Sequence, residues 1–149
     1  MVPTFFIIGI SITLFLYWFR YTCLLILSAK TTQDYAARVV AANRLEFLAV
    51  QSALLEGAQP AGLGPLEQAL NRDYELLGKL LKHSRAVEDP SAEIEQQMLR
   101  FYYCALRTWS RAVRRFSPAA AHRAMLEMAE VLSHFANLAG ERAFAGSAA

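Results

Sequence analysis

The chain has 149 residues, of which 55% are hydrophobic and 19% charged, with 15 Lys and Arg against 13 Asp and Glu for a net charge of +2. That length holds one small domain plus an anchor or tail, and the charge is too small to argue for nucleic acid. Two isolated cysteines, Cys23 and Cys104, exclude a disulfide scaffold and any Cys-rich metal motif.

The apolar excess lies at the start. Residues 2–19 (VPTFFIIGISITLFLYWF) carry no charge. As a helix they span roughly 27 Å, close to the hydrocarbon thickness of a bilayer. Tyr17, Trp18, Arg20 and Tyr21 follow as an interfacial belt, with the guanidinium reaching for headgroups. The start has no Lys or Arg, and Leu27 suits no small-x-small cleavage site, so a retained anchor is expected rather than a cleaved signal. Arg20, Lys30, Arg38 and Arg44 on the following flank place the remainder in the cytoplasm by the positive-inside bias. Gly9 and Thr13 form a small-xxx-small pair.

Beyond residue 30, Ile, Val and Thr are sparse and Ala, Leu, Glu, Gln and Arg dominate, which reads as all-α. Gly57, Pro60, Gly62, Gly64 and Pro65 make one break; Asp89-Pro90 and Ser117-Pro118 are helix starts with a cap and Pro at the first position; Gly140 is a stop signal. Four helices follow, over 4–56, 65–87, 90–116 and 118–142. The first runs unbroken from membrane into domain. The expected organisation is a transmembrane and interfacial segment at 1–29, an antiparallel helical bundle at 30–142 and a flexible tail at 143–149.

Helical-wheel placement gives each helix an apolar stripe. In the second it is Leu66, Leu70, Tyr74, Leu77, Leu80, Leu81 and Val87. In the third it is Ile94, Met98, Phe101, Tyr102, Ala105, Leu106, Trp109, Ala112, Val113 and Phe116, expected to face the core. In the fourth it is Met125, Met128, Ala129, Leu132, Phe135, Ala136 and Ala139. In the first, Leu45, Leu48 and Leu55 lie off the stripe formed by Ala36, Val39, Val40, Phe47, Val50 and Leu54, which suggests a central helix covered on two sides.

Opposite the aromatic stripe of the third helix, Arg100, Arg107, Arg111 and Arg114 share a line, with Arg115 beside it. Acids at the start of that helix (Glu88, Asp89, Glu93, Glu95) and arginines towards its end suit the helix dipole, so a solvated face is the plain expectation; an anionic lipid surface or an acidic partner is the functional one. Asn43 and Asp73 fall inside apolar stripes and are expected to share a buried polar network, which fixes helix register or lines a small ligand site. No nucleophile–base–orienter set, Glu-x-x-His pair or Gly-rich phosphate loop is present, so neither catalysis nor a cofactor or metal is expected. The expected role is a single-pass inner-membrane adaptor, scaffold or accessory subunit. Its partners are the bilayer, an unidentified protein and, as a further option, a second copy of itself. The alternatives are a ligand-binding or enzymatic bundle around Asn43 and Asp73, and a lipid or nucleic-acid surface on the arginine ridge.

Overall fold

The computed structural model describes residues 1–29, 34–57, 62–84 and 90–148. Lys30, Pro60, Val87, Glu88 and Asp89 lie outside the described residues. Six helices are present among those described, and no strand: α1 (Val2–Ser28), α2 (Ala36–Asn43), α3 (Phe47–Leu55), α4 (Leu63–His83), α5 (Pro90–Val113) and α6 (Pro118–Ala148). The chain divides into two compact units, Met1–Lys30 and Thr31–Ala149.

The first unit is α1 with its ends. It is 27 residues long and apolar enough to cross a membrane, and none of its most apolar stretch is buried within the protein. Thr13 and Thr22 return their hydroxyls to the carbonyls of Gly9 (2.8 Å) and Trp18 (3.0 Å), so their polar atoms are satisfied along the helix itself. Tyr17, Trp18, Arg20 and Tyr21 are all exposed.

In the second unit α6 is the shared partner, packing against α2, α3, α4 and α5. Its stripe is buried as the spacing predicts: Met125, Met128, Ala129, Leu132, Phe135, Ala136 and Ala139, joined by Ala121, Ala124 and Val131. Ser117 caps its start, accepting from the Ala120 N–H at 3.3 Å, with Pro118 at the first helical position.

The expected unbroken first helix is three helices. The second break is explicit: Arg44 ends α2 in the left-handed region (φ 51°, ψ 47°). Its N–H and that of Leu45 both return to the Val40 carbonyl, the latter at 3.1 Å, and Leu45 is buried after the turn. This is a Schellman-type stop. A left-handed arginine costs about 1 kcal/mol, so tertiary contacts must hold it. The break also explains the off-stripe leucines. It re-phases the chain, so Leu45 is buried in the turn, Leu48 is half-buried and Leu55 is exposed.

Gly140 is not a stop, since α6 continues to Ala148. Its role is close approach. A Cβ there would overlap the Cβ of Tyr35, lie 2.9 Å from Tyr35 Cγ and lie 3.3 Å from Val39 Cγ2. The start of α2 therefore rests directly on the α6 backbone. Gly140→Ala should lower stability by about 1–3 kcal/mol, because the obstructing Tyr35 Cβ is fixed to the backbone and cannot swing aside. Denaturant unfolding of the detergent-solubilised chain measures this; an unchanged midpoint would refute the close approach.

Candidate functional site

Three features of the second unit carry polar or apolar groups not spent on the ordinary core. They are a set of side chains that cap helices from a distance, an arginine cluster on a buried glutamate, and an exposed aromatic face.

Short α2 has one local acceptor, Asp34, whose Oδ1 takes the Ala36 N–H at 3.0 Å, and α3 has none. The long helices supply the rest. Asp73 of α4 is buried, and its Oδ2 accepts from the backbone N–H of Glu46 (2.6 Å) and of Phe47 (2.7 Å), the open donors at the start of α3. Asn137 of α6 does the same for α2, its Oδ1 accepting from Tyr35 (2.9 Å) and Ala36 (2.7 Å). Nε2 of His122 donates to the Leu54 carbonyl at the end of α3 (2.6 Å), and Arg142 Nη1 donates to Leu81 near the end of α4 (3.3 Å). Burial pushes the Asp73 carboxyl upward while the two N–H donors pull it back, with a net rise. Asn43 takes no part. It is exposed, and its amide donates to the Val39 carbonyl at 3.0 Å. The expected Asn43–Asp73 network is thus replaced by two separate arrangements, and both of Asp73's donors are backbone groups of this chain.

Three arginines of the ridge gather on one buried carboxylate while staying partly exposed. Glu67 of α4 is 3% exposed and receives Arg111 Nε at 2.5 Å on Oε1 and Arg114 Nη2 on Oε2, with Arg107 Nε 3.9 Å from Oε1. Arg100 lies outside this cluster and is half-buried; Arg115 is exposed in the turn after α5. Between the arginines, Ser110 is fully buried, and its hydroxyl and the Nε atoms of Arg107 and Arg114 have no hydrogen-bond partner among the described residues. Tyr102 donates to Glu127 of α6, and Tyr103, one turn from Arg107, donates to Asn71 of α4 (3.1 Å) while stacking on Tyr74 with ring centres 4.2 Å apart. Sequence reading missed Glu67. The available signal was its place one helical turn from Leu63 and Leu70, on the buried side of α4.

With these bonds made, α5 does not present its expected stripe to the core. Its buried residues are Leu99, Tyr102, Tyr103, Leu106 and Ser110. The stripe expected to face the core is largely outside: Phe101 is 64% exposed, Trp109 57% and Phe116 89%, and Ile94 is exposed too. A shallow groove runs along this face, lined by Phe101, Cys104, Ala105, Thr108, Trp109 and Ala112.

His134, half-buried on α6, has its imidazole pKa lowered from 6.5 by burial, an effect that Glu95 and Glu141 oppose. A depressed folded-state pKa means that below about pH 6.5 the unfolded chain takes up a proton that the folded chain resists. Stability should therefore fall as pH drops from about 7 towards 5, and His134→Gln should flatten that slope in thermal unfolding across the range. An equal slope in both proteins would refute this.

Among the described residues no group of three His, Cys, Asp or Glu side chains could hold a metal ion. Comparison with known protein families, with characterised proteins and with solved structures finds no match.

Proposed function

We propose that this protein is a membrane-anchored, non-catalytic helical adaptor, whose bundle docks a protein partner on the exposed face of α5. The carrying observation is the orientation of that helix: its aromatic stripe points outward while Arg107, Arg111 and Arg114 converge on Glu67. An exposed row of Ile, Phe and Trp has a continuing cost in water, and such patches mark interaction surfaces. The length and apolarity of α1 support the anchor. The basic flank after it supports a cytoplasmic bundle at an inner membrane.

The orientation weakens the competing readings. Two of the ridge arginines are hydrogen-bonded to Glu67 and a third lies beside it, so the ridge offers less free positive charge to lipid or nucleic acid than its count suggests. Asp73 spends its carboxylate on the start of α3, which leaves little for substrate chemistry. The test has two parts. The full chain should stay with the membrane pellet after an alkaline carbonate wash, and a C-terminal tag should resist protease in intact cells. A partner crosslinked to the wild-type chain should be lost from Trp109→Glu. Release by carbonate removes the anchor, and a partner retained by Trp109→Glu removes the docking face.

A further inference from the structure

We infer that the occupant of the exposed α5 face is a second copy of this chain, packed antiparallel about a two-fold axis beside Cys104. The inference rests on the reading of this face as a docking surface and names what docks there.

The argument starts from charge. Glu93 is in the first turn of α5, and Arg111 is in its last, with Arg115 just beyond. At 100° per residue, Glu93, Gln97, Cys104 and Arg111 line one edge of α5, and Arg115 follows in the turn just beyond its end. In an antiparallel pair of identical helices, a two-fold axis brings each edge against the same edge of the partner. Glu93 then meets Arg115 of the second copy, and Arg115 meets its Glu93. The midpoint of that pairing is position 104. A parallel pair would set Glu93 against Glu93 and Arg115 against Arg115, which the charges oppose.

The shape of the face agrees. Around the midpoint the groove floor is Cys104, Ala105, Thr108 and Ala112, all small, with Phe101 and Trp109 standing beside it. Small residues at the crossing let two helices approach, and Phe101 of each copy then lies level with the small residues around Thr108 of the other. The surface is self-complementary, as an isologous interface requires. An acidic or basic partner of another kind would be matched at one end of α5 and repelled at the other.

Cys104 is an exposed free thiol that also reaches the Tyr74 hydroxyl of α4, and in this pairing it lies level with Cys104 of the second copy. The experiment uses the full chain in detergent, in a Cys23→Ser background so that Cys104 is the single thiol. Light scattering should give a dimer, and a short bis-maleimide should link the two copies through Cys104. Trp109→Glu should give a monomer with an unchanged helical circular dichroism spectrum. Arg115→Glu should weaken the dimer about tenfold, and adding Glu93→Arg should restore it, because the double exchange re-forms both pairs. A monomeric wild-type chain overturns the inference. If that monomer binds phosphatidylglycerol vesicles, or a different protein, in a manner lost with Trp109→Glu, the docking face stands and its occupant is wrong. A dimer that ignores Trp109→Glu and gives no Cys104 crosslink assembles elsewhere, which overturns both the occupant and the face.

Discussion

Replacing Glu67 with Leu is expected to destabilise the protein by about 2–4 kcal/mol, a large share of the stability of a small domain. Three guanidiniums surround this one carboxylate, so the cluster already carries two positive charges in excess. Removing Glu67 leaves only mutual repulsion around a fully buried Ser110. Breaking a buried pair from one side commonly costs about 3–5 kcal/mol. The lower figure here reflects the arginines, which are 29–56% exposed and can turn partly to water. The reverse exchange separates charge from packing. Glu67→Leu combined with Arg111→Leu and Arg114→Met should recover much of the loss, because the one charge left at the site, Arg107, is 42% exposed and can turn to water. Denaturant unfolding of the three chains measures this. A single Glu67→Leu chain as stable as wild type would show that the cluster contributes nothing. Glu67→Leu should also let α5 turn, since Arg111 and Arg114 lose their acceptor; a fall in Trp109 exposure to a soluble fluorescence quencher would report it.

Asp73→Leu is expected to cost about 2–4 kcal/mol even though Leu suits the apolar stripe around it. From the stripe alone the opposite follows, since a buried acid replaced by an aliphatic of similar size is often neutral or better. The two N–H groups at the start of α3 reverse the sign. Both point at Oδ2, and the Phe47 donor is buried. Leu would strand them, and each unsatisfied buried donor costs about 1–3 kcal/mol. Asp73→Asn keeps an acceptor oxygen in place and should lose only about 1 kcal/mol. The ordering wild type, Asn, Leu in unfolding midpoint is the check, and Leu above Asn would sink the capping account. The pH response carries a sign as well. The folded-state pKa of Asp73 is raised, so its contribution to stability is greatest in acid and declines as pH rises through that value. His134 acts in the other direction, weakening the fold on acidification.

The helical class of the fold was legible because alternatives leave local marks that are missing here. Apolar spacing in α4 and α6, the Ser117-Pro118 start and the Pro90 start are statements about single segments. The breaks in the first long helix were not legible. No Gly or Pro lies between Tyr35 and Leu55, and the helix that restarts after the turn at Arg44 is held by Asp73, distant in sequence. Gly140 carried a true signal with two meanings, stop or close approach, and only the position of Tyr35 chooses between them.

By itself the sequence determined an all-helical chain with an apolar amino-terminal helix long enough for a bilayer, since length, hydropathy and 3.6-residue spacing are properties of one segment at a time. Which side of α5 faces inward was decided only by tertiary structure. The wheel offers an aromatic side and an arginine side, and burial of the more apolar one is the default. Instead α5 buries Leu99, Tyr102, Tyr103 and Leu106, Glu67 of another helix pairs with the arginines beside them, and Phe101, Trp109 and Phe116 stay outside. Charge pairing across helices depends on where the partner group lies in space, and no periodicity within α5 encodes that position.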